Sequence, residues 1–272
     1  MAFIVAAFYH FFDFPDYKHH RESLLALLKR EDIKGSILIA SEGFNGTISG
    51  SRSGIDTVLA FLTILGGTFE HKESTHTSQP FGRAKVRLKK ELISLGPYVT
   101  PREVGTYVTP QEWNALIDDP NTVVLDTRNS YETHLGTFSG AIDPNIRNFK
   151  QLPQYVASEM QDLKDKKIAT FCTGGIRCEK FTAWMKEQGF KDVYHLKGGI
   201  LKYLEEIPPE DSRWQGECYV FDNRVAVGHG LHPSQTASIC QNCGHALTPE
   251  DRTHPEYGEK HCQYCATYKL SA

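Results

Sequence analysis

Hydrophobic and polar positions follow two different periods along this chain, and the change of period marks its organisation. Residues 3–12 form a nearly continuous apolar and aromatic run, which predicts a strand, and over residues 19–29 Leu24, Leu25, Leu27 and Leu28 mark the apolar side of an amphipathic helix. Residues 36–40 and 46–49 read as strands flanking Ser41-Glu42-Gly43-Phe44-Asn45, a hairpin turn, and residues 55–65 as a second helix. In Arg83-Ala84-Lys85-Val86-Arg87-Leu88-Lys89 the period is two, so a strand there points Ala84, Val86 and Leu88 to the core and Arg83, Lys85, Arg87 and Lys89 the other way. Past the glycine- and proline-rich stretch from Gly96-Pro97 to Gly105, strands alternate with helices. Thr109-Pro110 supplies an N-cap and a proline at the first helical position, for a helix running to Ile117. Residues 123–125 then predict a short buried strand, 153–164 a helix, 168–171 a strand, 181–188 a helix and 192–196 a late strand.

Strand, helix, two strands, helix, strand over residues 1–96 is a ferredoxin-like plan, as in acylphosphatases. No arginine stands in the loop after the first strand, where an acylphosphatase needs its phosphate grip, so this domain reads as a binding or positioning module. Residues 97–108 are the linker, and the alternation over residues 109–207 predicts a parallel α/β sheet. Residues 208–272 form a C-terminal segment. The expected fold class is therefore α/β and α+β multidomain.

The chemistry concentrates in Cys172-Thr173-Gly174-Gly175-Ile176-Arg177-Cys178-Glu179, where a predicted strand delivers a cysteine into a glycine loop at a helix start. Backbone N–H groups of such a loop form an anion cradle, and the helix N-terminus and Arg177 add positive potential, which favours a thiolate on Cys172. Four residues separate Cys172 from Arg177. That C-x4-R loop is too small for the phosphate grip of cysteine phosphatases, suits one extra sulfur or a compact oxyanion, and resembles the rhodanese active loop. The competing reading of Cys172 is an inert, buried strand-end thiol, against which stand the two glycines and the arginine that follow it. Cys178 is either a resolving thiol or a helix residue facing the core. Upstream, Asp126-Thr127-Arg128, Tyr131-Glu132 and Gly140-Ala141-Ile142 are similar to the strand end, Tyr-Glu pair and return of rhodanese domains. Asp126 and Arg128 read as an ion pair under the loop, in a supporting role.

Composition narrows the class. A chain of 272 residues has room for two domains or slightly more, and 40% hydrophobic with 23% charged residues is ordinary for a soluble globular protein. The N-terminal run lacks a basic flank and is interrupted by Asp13 and Asp16, so it is a strand rather than a leader, and no run reaches the length of a membrane span. Six lysines and arginines against Glu73 give residues 71–90 a charge of +5 in a chain of net −3, and such a stripe either tracks phosphates or is a solvated sheet face. Cys240-Gln-Asn-Cys243 and Cys262-Gln-Tyr-Cys265, 18 residues apart, have the spacing of a four-cysteine zinc ribbon, closed and structural, with an iron site or two redox dithiols as the alternatives. His245, His254 and His261 are then expected on the surface. Seven cysteines used in these ways fit a reducing cytoplasm. Cys218, in Gly216-Glu-Cys-Tyr-Val-Phe-Asp222, reads as buried, with no role legible.

These parts in this order resemble one family, the bacterial rhodanese-domain tRNA uridine hydroxylases (TrhO, formerly the UPF0176 proteins). The resemblance covers nearly the whole chain, and the active-loop octapeptide is its most specific part. It implies oxygen-dependent hydroxylation of the wobble uridine of tRNA at C5 to 5-hydroxyuridine, a link to prephenate metabolism, and Cys172 as the catalytic cysteine, with Arg177 and Cys178 beside it. It makes tRNA the partner, for which the stripe of Arg83, Lys85, Arg87 and Lys89 offers candidate contacts. No flavin or nicotinamide fingerprint and no iron-binding triad is found, so the sequence assigns oxygen activation no home. A sulfurtransferase carrying a persulfide on Cys172, or a tRNA-binding scaffold, are the rival readings.

Overall fold

The computed structural model describes residues 2–258 and 260–265. The chain divides into two units: the first runs to Val104 and takes in Glu179–Trp184, and the second comprises Gly105–Cys178 and the chain from Met185 onward.

In the first unit, β1 (Phe3–Phe11), α1 (His20–Arg30), β2 (Lys34–Ala40), β3 (Gly43–Gly50), α2 (Arg52–Gly66), β4 (His71–His76) and β5 (Ala84–Leu88) follow in order. The sheet order is β4-β1-β3-β2-β5, with β5 parallel to β2 and the remaining pairs antiparallel. Alternate residues of β1 and its neighbours, among them Ala6, Phe8, Ile37, Ile39, Phe44 and Ile48, pack with Leu24, Leu28, Ile55, Val58 and Leu62 of the two helices. Each large side chain buried this way stabilises the fold by about 1.5–3 kcal/mol. Ser51 caps α2 by accepting from the Gly54 N–H. In this unit Lys180 is fully buried and ion-paired to Glu42 (2.9 Å) and Glu91 (2.8 Å), which answers the desolvation of its ammonium.

The ferredoxin-like plan holds, with two corrections in detail. The β2–β3 turn is only Ser41-Glu42, because Gly43 already pairs with Ala40 and Phe44 is fully buried core. Gly43, at φ 127°, lies so near the His10 carbonyl that a Cβ there would stand 2.0 Å from it, so only glycine lets the hairpin close against β1. The basic segment is a fifth strand, and on it Val86 is buried but Leu88 is 42% exposed, since it ends an edge strand with a neighbour on one side only.

In the second unit, β6 (Thr106–Val108), α3 (Pro110–Ile117), β7 (Thr122–Asp126), α4 (Ser130–Thr133), β8 (Gly136–Phe138), α5 (Leu152–Glu159), β9 (Lys167–Phe171), α6 (Ile176–Glu187), β10 (Asp192–Leu196) and α7 (Gly199–Glu206) are followed by short strands. These are β11 (Trp214–Gly216), β12 (Cys218–Tyr219), β13 (Ala226–Val227), β14 (Ser238–Ile239) and β15 (Ala246–Leu247). The parallel sheet has the order β6-β10-β9-β7, so β9, which carries the cysteine loop, is an inner strand. Thr109 is the N-cap and Pro110 the first helical residue, as the sequence suggests, and Glu112 adds a reciprocal capping box with Thr109. The predicted helix over residues 153–164 is shorter: α5 stops at Glu159, where Met160 takes φ −122°, and only a 3-10 turn follows. Phe138 is the hub of the core, edge-to-face with Phe171 (4.8 Å), Tyr203 (4.7 Å) and Trp214 (5.1 Å). Among the described residues no helix is long and apolar enough to cross a membrane.

Candidate active site and metal centre

The loop from Cys172 to Cys178 sits at the carboxyl end of β9, where open parallel sheets hold their ligands. Its helix begins earlier than the hydrophobic pattern suggests: α6 starts at Ile176, so Arg177 and Cys178 lie in its first turn. The Gly175 N–H donates to Cys172 Sγ at 3.1 Å, and the N–H groups of Arg177 and Cys178 also point at this sulfur. Gly175 is at φ 104°, a conformation that turns successive amides inward and that side chains resist. A Cβ at Gly174 would meet nothing within 4 Å, so the loop presents open space there.

The loop carbonyls are held from behind. Ile200 N–H donates to the Cys172 carbonyl (3.0 Å) and Leu201 N–H to that of Thr173 (3.1 Å), so the first turn of α7 fixes the outward side of the loop while its amides face the sulfur. Gly199, at φ 68°, makes this approach possible: a Cβ there would stand 2.5 Å from the Cys172 carbonyl oxygen. The Gly198-Gly199 doublet after β10 was the available sequence sign of this contact, and pattern reading passed over it.

Burial raises the Cys172 pKa, but the Cys178 thiol, the Arg177 charge and the two backbone N–H groups outweigh it and hold the thiol down at about 5. Cys172 is therefore a thiolate at neutral pH. Cys178 moves the other way, well above the ordinary thiol range, because it is fully buried and because its S–H donates a hydrogen bond to the neighbouring sulfur. Its sulfur also lies 3.7 Å from Thr127 Oγ1. The pair thus holds one proton between two sulfurs.

Arg177 is not a free anion grip. Its two terminal nitrogens donate to the buried Glu132 carboxylate at 2.6 and 2.7 Å, a bidentate pair that Thr173 Oγ1 joins at 3.2 Å. Burial works to raise the Glu132 pKa, and the Arg177 charge and hydrogen bonds reverse it, keeping the carboxylate ionised. Glu132 was visible in the sequence as half of a Tyr-Glu pair, but nothing local announced its partner 45 residues later. Asp126 and Arg128 are paired at 2.6 Å with no exposed side-chain surface. Arg128 also donates to the Gly136 carbonyl (2.6 Å) and lies over Trp214, and Thr137 donates to Asp126 (2.9 Å). The bonds of this pair thus run to each other, to Thr137 and to the backbone of Glu132 and Gly136. Cys218 is fully buried, and burial pushes its thiol up to about 12 despite Arg128 nearby, which leaves it a neutral packing residue.

The four sulfurs of Cys240, Cys243, Cys262 and Cys265 lie within 4.8 Å of one another. Cys240 and Cys265 are 3.6 Å apart, Cys243 and Cys262 3.7 Å, and Cys262 and Cys265 3.9 Å. Four thiolates around a tetrahedral zinc stand about 3.8 Å apart. The residues fit such an ion, and the cluster can hold a metal. Asn242 Nδ2 (3.3 Å) and the Cys262 N–H (3.2 Å) donate to Cys265 Sγ, the kind of outer support that steadies a metal thiolate. Asp251 braces the segment by accepting from Tyr264 Oη (2.8 Å) and meeting His134 Nε2 (2.6 Å). Of the three histidines expected on the surface, His254 and His261 are exposed, but His245 is buried against Tyr264 at 4.1 Å because the turn after Cys243 folds its ring inward.

On the first unit, Arg83, Arg87 and Lys89 are exposed and Lys85 is half-buried on the edge strand β5.

The family model described as the UPF0176 acylphosphatase like domain matches residues 3–92, and the rhodanese-like domain model matches residues 109–206. A tRNA uridine(34) hydroxylase of Sinorhizobium medicae is 53% identical over 261 residues, spanning 94% of this chain and 82% of its own length. That of Deinococcus radiodurans is 51% identical over 266 residues, spanning 97% and 88%. With relatives this similar over nearly its full length, the chain belongs to the tRNA uridine(34) hydroxylase family.

Proposed function

We propose that this chain hydroxylates the wobble uridine of tRNA at C5, giving 5-hydroxyuridine, with dioxygen as co-substrate and Cys172 as nucleophile. One observation carries the reading: chains more than half identical to it over most of both lengths bear the name tRNA uridine(34) hydroxylase. The Cys172 thiolate adds to C6 of uracil, forming a carbon–sulfur bond and moving the C5–C6 pair onto the C4 carbonyl as an enolate. Carbon C5 then takes up dioxygen as a hydroperoxide. Placing one oxygen atom on the base and turning the other into water requires two electrons, and the paired thiols supply them. The Cys178 thiol attacks the outer peroxide oxygen, leaving a hydroxyl on C5 and a sulfenic acid on Cys178. Loss of the C5 proton expels Cys172 and restores the double bond, and Cys172 closes on the sulfenic acid to release water and form a disulfide. A cellular dithiol reductant resets the pair.

Arg177, with Thr173, Gly174, Gly175 and Ile176, shapes the cradle in this scheme, and Asp126 and Arg128 support it. Arg83, Lys85, Arg87 and Lys89 contact tRNA phosphates, and Cys240, Cys243, Cys262 and Cys265 hold a structural zinc. Residues 1–96 form the substrate-positioning domain, 97–108 the linker, whose last three residues are β6 of the catalytic sheet, 109–207 the rest of the catalytic domain and 208–272 the zinc segment of a cytoplasmic enzyme. Mass spectrometry of tRNA nucleosides from a deletion strain tests the reading. Loss of 5-hydroxyuridine, restored by the wild-type gene, is the expected result. Loss of a thiolated base instead identifies a sulfurtransferase, and no change removes tRNA modification altogether.

A further inference from the structure

The segment Gly216 to Asp222, singled out in the sequence without a role, forms one arm of a hairpin beside the active loop. In it Cys218 pairs with Val227 and Tyr219 with Ala226. Alternation turns Cys218 and Val220 into the core, where Cys218 bonds the Thr173 side chain of the loop, and leaves Tyr219 and Phe221 on the other face. There the rings form a ladder. Tyr131, the neighbour in sequence of the Glu132 that grips Arg177, meets Tyr219 edge-to-face at 5.3 Å, and Tyr219 meets Phe221 edge-to-face at 5.1 Å. The inner rungs are sheltered, Tyr219 being 8% exposed, whereas Phe221 is 58% exposed.

A lone exposed phenylalanine is unremarkable. This one is held out by a rigid turn. Asp222 and Arg224 form a nearly fully buried bidentate pair (2.6 and 2.8 Å), and the Arg224 N–H also donates to Asp222. Val220 N–H donates to the Val225 carbonyl (2.8 Å) and Val225 N–H to that of Asp222 (3.0 Å), with Val225 at φ 64°, a conformation β-branched residues resist. The charges at the tip are satisfied by each other, so what the tip offers a partner is a flat apolar face that needs no reorganisation.

We infer that Phe221 is a stacking platform for a nucleobase of the anticodon loop next to the target uridine, with Tyr219 and Tyr131 as its buttress. The inference rests on the tRNA reading above and adds a specificity residue to it. Chemistry on a single base requires that base to leave the stack, and its neighbours then need a new aromatic partner, which Phe221 supplies at the outer end of a ladder leading to the loop. Phosphate contacts, which carry no stacking, cannot do this.

The test uses the full-length protein and an anticodon stem-loop carrying 2-aminopurine beside the target uridine. Stacking on the wild-type protein quenches the fluorescence, and Phe221→Ala should abolish the quench and weaken binding on the order of tenfold, with Phe221→Trp restoring both. Phe221 is exposed, so the variants fold. Wild-type binding with an identical quench and affinity for Phe221→Ala overturns the platform and leaves the tRNA reading standing. Failure of the wild-type protein to bind the stem-loop overturns both.

Discussion

Two clusters of cysteine in the same unit have been given opposite surroundings. At the end of β9, Cys172 is faced by amide N–H groups and by one neighbouring thiol, and its charge is stabilised without a metal. In the C-terminal segment, four sulfurs face one another at 3.6–3.9 Å, an arrangement that is favourable only around a cation. Identical side chains become a stabilised thiolate or a set of metal-type ligands according to whether dipoles or other sulfurs surround them. Loop geometry decides the first case and the return of a second C-x2-C pair decides the other.

The sharpest way to break that contrast is to exchange serine for cysteine in each cluster. Cys172→Ser should reduce 5-hydroxyuridine in a complemented deletion strain to background, a loss on the order of a thousandfold or more, with metal content unchanged. Cys240→Ser should remove about one metal per chain by elemental analysis and loosen the segment after Ser238, while the Cys172 thiolate still alkylates. Loss of metal in the first variant, or of thiolate reactivity in the second, dissolves the distinction.

A smaller effect probes what surrounds the nucleophile. Glu132→Ala leaves the buried Arg177 guanidinium without its partner and should destabilise the protein by about 3–5 kcal/mol in urea unfolding. Sulfate should recover part of that loss by occupying the vacated carboxylate position. An unaltered midpoint would show that water already solvates Arg177.

The mildest test is a pH profile of alkylation. Because the folded pKa of Cys172 is lowered to about 5, its thiolate is present at neutral pH and is lost as pH falls through that value. The rate should be flat above roughly pH 6 and fall about tenfold per unit below 5. Cys178→Ala removes a donor to the thiolate and should move the inflection up by on the order of one unit. A profile centred near 9 means the cradle does not form.

Much of this was legible in the chain because it is local. The Thr109-Pro110 cap, the C-x4-R loop and the two C-x2-C pairs each state their geometry within a few residues. What escaped was made by distance in sequence. Glu132 meets Arg177, and Gly199 meets the Cys172 carbonyl, only because the parallel sheet brings separate strand ends together. The short hairpin at Ser41-Glu42 was read as longer because Phe44 looks equally at home in a turn or in a core until β1 supplies the wall against which it packs. His245 went inward for a similar reason, since Tyr264 and His134 reach it from either side.

A charge inventory of the buried cluster follows from these pairings. Arg177 is matched by Glu132 and Arg128 by Asp126, while Cys178 stays protonated and Cys218 is neutral. Among these groups the one unmatched charge is negative, and it resides on Cys172. A site already carrying that surplus repels a phosphate dianion, so the rhodanese-type loop is ill suited here to the work of a phosphatase even though an arginine closes it. An uncharged uracil enters without adding to the surplus. In the proposed scheme the thiolate's attack passes that same single charge from sulfur toward the carbonyl oxygen of the ring, and no counterion has to be recruited during the reaction.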